Sequence, residues 1–335
     1  MGKHRSNEYQ YPCAVIRGNE LTLLSAADLA RVADAASMQA AMSILHEFGY
    51  GDGKELANPR DFEAVLAAEQ ARVAELVLGV IPEREELAFL QFPVDYHNAK
   101  VILKAEALGT DPADYLMEGG RMAGAEMAVM VKERNFLFME AFLRDSILET
   151  IEAYGKTRDP QEIDILLDKA CYSEMLAEAE EAGNDFVTGY VKLLIDILNV
   201  QTFVRVKQIG KPAEFLAKVF LEGGRVDLAT LKELYGETYQ QIGERLDLYG
   251  FGEVVSRGAA EAAAGGSYAL MEKLCDNLKV RYAKGAQFIT AGIEPIAAFY
   301  VAKEMELKNL RMVLTGKLVG IPEETLKERL REAYV

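Results

Sequence analysis

The side chains whose types and spacing could do chemistry recur as pairs, an acid three positions ahead of an asparagine: Asp95 with Asn98, Asp196 with Asn199, and Glu306 with Asn309. Residues at i and i+3 share a helix face, so each pair sets a carboxylate beside an amide. Two uses fit that pairing. It could wall a binding cleft used three times, or it could be an internal clamp in which the asparagine satisfies backbone groups at a neighbouring helix end. The clamp is the expectation taken forward. Acid–base catalysis would need two carboxyls held in differing environments round one cleft, and no spacing here marks out such a couple.

The other reactive residue types offer less. His4, His46 and His97 are scattered, and His46-Glu47 lacks the second histidine of a metalloprotease helix. His97 gives way to Leu198 and Lys308 in the other two copies of its segment, which points to a local structural role. Cys13, Cys171 and Cys275 stand far apart with no ligand or disulfide spacing, as suits a reducing compartment. The stretch GYGDGK at 49–54 has Phe48 and Glu55 where a phosphate loop needs Gly and Ser or Thr. A glycine turn closing a helix is expected there instead. No catalytic residue, metal or cofactor is predicted.

The elements that must carry the pairs are helices, because apolar residues recur at three-and-four spacing and strand-like alternation is nearly absent. In DFEAVLAAEQARVAELVLGVIP, Phe62, Val65, Leu66, Ala67, Val73, Leu76 and Val77 fall on one stripe, with Glu63, Glu69, Arg72 and Glu75 off it and Gly79 and Pro82 as the stop. Residues 162–182 form a similar helix ending at Gly183-Asn184. Ten residues beyond each asparagine stands an aliphatic-glycine pair: Leu108-Gly109, Ile209-Gly210 and Val319-Gly320. Pro112, Pro212 and Pro322 follow, and each copy then reads Pro-x-acid-x-Leu, through Asp114 and Leu116, Glu214 and Leu216, Glu324 and Leu326. Glycine takes a left-handed conformation cheaply, proline forbids continuation, and the acid suits the positive first turn of a new helix. Each copy is therefore helix, hard stop, helix. Repetition at roughly a hundred residues predicts an all-α chain of three similar helical domains, 1–117, 118–222 and 223–335. Glu-Gly-Gly-Arg follows the first two copies at 118–121 and 222–225 and reads as a joint between units; the third copy lacks it.

Charge narrows the partners. With 37 Lys+Arg against 53 Asp+Glu the net charge is −16, which argues against nucleic acid and against a polybasic membrane tether. Residues 161–190 carry eight acids and one base, whereas 302–335 come out near neutral. No apolar run reaches the about eighteen residues needed to cross a bilayer; the longest, such as VKLLIDILNVQTFV, is interrupted. MGKHRSNEYQ leads into no apolar signal core.

The C-terminal stretch NLRMVLTGKLVGIPEETLKERLREAYV closely resembles the signature of the rotor-adaptor protein of V/A-type ATPases, known as the C subunit in prokaryotic complexes and the d subunit in eukaryotic ones. VDYHNAKVILKAEALG at 94–109 resembles the family's first repeat, IDILNVQTFVR at 195–205 its second, and RDPQEIDILLDKACYSEML at 158–176 its entry into the middle domain. The resemblance runs from about Thr22 onward; the departure is YQYPCAVIRGNE, with Pro12 where the family has a Tyr-Ala-rich first helix. It implies three helical domains round a pseudo-threefold axis, forming a funnel or socket with no chemistry of its own. It also implies central-stalk partners of the D and F type, a membrane rotor ring of c/K-type subunits, and a peripheral place on the cytoplasmic face without insertion. Arg121 and Arg225 in the glycine joints, with Arg311 and Lys317, are the candidate interface positions. A soluble helical-repeat scaffold and a helical enzyme with a cavity are the alternatives.

Overall fold

The computed structural model describes residues 8–53, 58–82 and 84–335. His4, and Lys54 and Glu55 of the glycine-rich stretch, lie outside them. The described residues form helices and turns with no strand, so the chain is all-α. Contacts divide it into two units: residues up to 83 together with Glu237–Val335, and Arg84–Gly236. The joints expected after 117 and 222 both fall inside the second unit.

The first unit opens with α1 (Gln10–Glu20), α2 (Ala26–Asp34), α3 (Met38–Glu47) and α4 (Phe62–Val80). The second holds α5 (Phe92–Leu108), α6 (Gly124–Glu133), α7 (Ala141–Thr157), α8 (Pro160–Ala182), α9 (Asp185–Gln208), α10 (Phe215–Val219) and α11 (Leu228–Glu233). The chain then returns to the first unit through α12 (Tyr239–Leu246), α13 (Ala260–Ala263), α14 (Ala269–Lys284), α15 (Ile293–Leu318) and α16 (Glu323–Arg329).

In the second unit α8 is the centre, packed against α5, α7 and α9. In the first, α15 is buried along almost its whole length and packs against α1, α4 and α14. Its buried positions go round the helix rather than along one stripe and include Lys303, Glu306 and Asn309, so the helix is surrounded and its buried polar groups need partners. Leu307, Leu310, Val313 and Leu314 join Leu29, Val32, Leu45, Phe62 and Leu66 in one core, which is why the two ends of the chain share a unit.

Three local expectations change. Helix α4 runs through Gly79 to Val80 and ends where Ile81, held extended ahead of Pro82, cannot stay helical. Pro12 lies in the first turn of α1, where its missing N–H has no intrahelical partner to lose, so the helix forms around it. Helix α9 contains a window long and apolar enough to cross a membrane, contrary to the reading of its interrupted run. Most of that window is buried inside the protein, with Asp196 and Asn199 in its middle.

Candidate functional site

The three acid-asparagine pairs are buried and closed on the chain's own backbone. In the first, Pro93 starts α5 and Asp95 lies in its first turn. The helix ends at Gly109, whose φ of 68° lets the N–H of Thr110 reach the Ala105 carbonyl at 2.9 Å. The chain turns back, and at Met117 it meets Asn98. The amide of Asn98 donates to the Met117 carbonyl at 2.9 Å and accepts from the Met117 N–H at 2.8 Å. Asp95 accepts from Arg121 Nε at 2.8 Å and from the Met122 N–H at 3.4 Å.

The second pair repeats this geometry on α9. Asn199 donates to the Leu221 carbonyl at 2.8 Å and accepts from its N–H at 2.9 Å. Asp196 accepts from Arg225 Nε at 2.8 Å and from the N–H groups of Arg225 and Val226 at 2.8 and 3.0 Å. Gly210, with φ of 69°, makes the stop.

Both Glu-Gly-Gly-Arg motifs are cradles for these carboxylates. The first glycine takes a left-handed φ, 94° at Gly119 and 95° at Gly223. The second leaves room for the acid: a Cβ on Gly120 would stand 2.2 Å from an Asp95 oxygen, and one on Gly224 2.3 Å from an Asp196 oxygen. The arginine then covers what the glycines wrap. The motif expected to join units thus binds the acid of its own copy, inside the second unit.

The third pair keeps the asparagine and changes the acid. Asn309 accepts from the Arg331 N–H at 2.9 Å and donates to its carbonyl at 3.3 Å, while Gly320 at φ 73° makes the stop. The longer Glu306 reaches instead to the Leu24 N–H at 2.5 Å, to Lys303 Nζ at 2.7 Å and to the Tyr50 hydroxyl. Lys303, 2% exposed, also meets Glu69 Oε1 at 2.7 Å. Glu69, expected off the apolar stripe of α4, faces this buried cation. Burial, followed by the nearby Glu306 carboxylate, holds the Tyr50 hydroxyl far above the usual phenol range.

All four candidate interface cations have partners within the chain. Arg121 bridges Asp95 and Glu174, at 3.1 Å from the latter, over the Phe92 ring. Arg225 holds Asp196. Arg311 pairs with Glu63 at 3.0 Å, and Lys317 caps α2 through the carbonyls of Ala33, at 2.8 Å, and Ala35.

Two buried acids beyond the repeat escape the sequence pattern. Glu174 accepts from Tyr96 at 2.7 Å, and Asp276 takes Arg331 at 2.9 Å and Lys308 at 2.7 Å. An acid next to Asn277 inside a buried helix face was the available signal for Asp276. Among the described residues no group of His, Cys, Asp and Glu could hold a metal. Burial pushes the Asp95 carboxyl up while Arg121 pulls it back, and neither it, Tyr96 nor Arg121 opens onto the clefts of about 250, 450 and 610 Å³ in the same unit. The three asparagines are thus each closed on a backbone within the chain.

A family model described as ATP synthase (C/AC39) subunit matches residues 12–329. The chain is 25% identical over 327 residues to the C subunit of the V-type sodium ATPase of Enterococcus hirae, across 98% of this chain and 99% of that one. It is 26% identical over 342 residues to the C subunit of the A-type ATP synthase of Pyrococcus abyssi, across 97% and 90%. To the corresponding A-type ATP synthase protein of Methanocaldococcus jannaschii it is 24% identical over 351 residues, across 96% and 86%.

Proposed function

Since the chain belongs to the ATP synthase (C/AC39) subunit family, we propose that it is the non-catalytic central-stalk adaptor of a rotary V/A-type ATPase or ATP synthase, transmitting torque between the stalk of the soluble head and the membrane rotor ring. The observation that carries this reading is the match over nearly the whole chain to relatives named as the C subunit of V-type and A-type enzymes. Its partners are stalk subunits of the D and F type on one side and c/K-type ring subunits on the other, and it works as a peripheral protein on the cytoplasmic face. The threefold clamp belongs to the same reading: three copies of one helical unit can surround a shaft, and each is locked by buried hydrogen bonds that resist shear.

A torque part needs rigid packed helices and broad polar interfaces, not a nucleophile. Purification of the tagged chain from its native membranes in mild detergent, followed by mass spectrometry, tests the assignment. Stalk and ring subunits should both come with it. Recovery of neither, or the whole pool in the soluble fraction of gently lysed cells, would replace the adaptor by a soluble scaffold.

A further inference from the structure

The chain closes α5, α8, α9 and α15 with glycines in the left-handed region, at Gly109, Gly183, Gly210 and Gly320. It closes α6 and α7 with arginines instead. Arg134 and Arg158, both at φ 56°, are the non-glycine residues of positive φ among the described residues. A side chain in that region carries backbone strain that glycine avoids, and such strain persists where the surroundings or a function hold it. Both arginines line one cleft of about 250 Å³, within the second unit.

Helix capping accounts for one of them only. The Arg134 guanidinium reaches the Val131 carbonyl and grips both oxygens of Glu106, at 2.5 and 3.1 Å. Arg158 lies 5.8 Å from the centre of the Tyr154 ring and has no carboxylate partner among the described residues. The acids near it in sequence are engaged elsewhere: Glu152 with Lys156 at 2.5 Å, Asp159 with the Gln161 N–H at 3.0 Å, and Glu162 with Lys218 at 2.6 Å. Two guanidiniums against the Glu106 carboxylate leave the cleft lining one positive charge in surplus. Gly155, in the last turn of α7, lines the same cleft. A Cβ there would meet nothing within 4 Å, so packing within the chain does not call for a glycine that weakens the helix. It leaves the cleft open.

We infer that this cleft binds a monocarboxylate on a short apolar stem, with Arg158 taking the carboxylate through its planar fork and Arg134 beside it, and with the stem against Leu103, Ile151 and Ile163. One surplus positive charge matches one negative charge, whereas a phosphate dianion would be repelled by Glu106. The volume lies below the roughly 300–1,000 Å³ of sites for drug-sized ligands, too small for a nucleotide. A free short-chain acid and the C-terminal carboxylate of a chain ending in an aliphatic residue present this same chemistry. None of these residues belongs to an asparagine clamp, and the site stands apart from the adaptor reading.

Calorimetric titration of the full-length protein with 3-methylbutanoate tests the site. Wild type should bind it with a Kd of about 1 mM or below and should not bind 3-methylbutanamide. Arg158→Gly restores the stop used elsewhere in the chain, so Tm should hold or rise while binding falls at least tenfold; a merely structural arginine would instead lower Tm. Arg158→Lys should lose binding likewise, because an ammonium lacks the fork. Gly155→Leu should keep the fold and weaken binding by filling the cleft. The peptide Gly-Gly-Gly-Leu separates the two sources: tighter binding than the free acid identifies a chain end as the ligand, weaker binding a free acid. Failure of wild type to bind either probe, equal binding of the amide, tighter binding of inorganic phosphate, or unchanged affinity in folded Arg158→Gly would each overturn the site and leave the adaptor reading intact.

Discussion

At the scale of single residues the protein is explained by what its buried polar groups touch. Asn199 closes two hydrogen bonds on one residue's backbone, and a buried N–H or C=O left without a partner costs about 1–3 kcal/mol. Asn199→Ala should therefore lower the unfolding free energy by about 2–4 kcal/mol in urea denaturation; a loss within experimental error would mean water replaces the amide freely. Two glycines separate space from backbone strain. Gly224→Ala drives a methyl into the Asp196 carboxylate, whereas Gly210→Ala meets nothing within 4 Å and suffers only its φ of 69°. The second should cost about 1 kcal/mol, near the ordinary left-handed penalty, and the first clearly more. Equal costs would remove the cradle from the account. The asparagine spacing was visible in sequence because a helix turns that spacing into a shared face. The purpose of Glu-Gly-Gly-Arg was not, since the acid it wraps lies more than twenty residues earlier.

At the scale of elements, burial on all sides sets the behaviour of α15 and α9. Lys303 on α15 binds two carboxylates from different helices and sits under the Tyr50 ring. Removing one partner of a buried ion pair costs about 3–5 kcal/mol, so Lys303→Met should lower Tm strongly, and little change would show that the cluster is hydrated. This network was invisible in the sequence because Tyr50 lies 253 and 256 positions from Lys303 and Glu306. The chain's final stretch is fastened in a similar way: Arg331 pairs with Asp276, the Glu332 N–H donates to Asn277, and Gln287 donates to the Tyr334 carbonyl. Burial raises the pKa of Asp276, but Lys279, Lys308 and Arg331 outweigh it and leave it below the ordinary carboxylate value. A carboxyl depressed in the folded state stabilises above its unfolded pKa and loses that contribution as pH falls through the folded one. Acid titration below about pH 4 should thus destabilise the wild type more than an Asp276→Asn variant, and parallel acid curves for the two would refute the fastening.

At the scale of the whole molecule, helical class and the three stops followed from short-range rules, since periodicity, left-handed glycine and proline all act within a few residues. The grouping of both chain ends into one unit did not, because it depends on α15 burying a face against α4 that no local pattern assigns. Function follows the same division. The acid-asparagine spacing could be read early, but not the backbone each asparagine closes on, 19 to 22 positions further along; the proposed partners rest on kinship with the C subunits of V-type and A-type enzymes. The most direct test of the adaptor is ATP-driven ion transport in inverted membranes from cells lacking this chain, before and after the purified protein is returned with head and stalk. Transport should be absent without the chain and restored with it. Full transport in its absence would contradict the account.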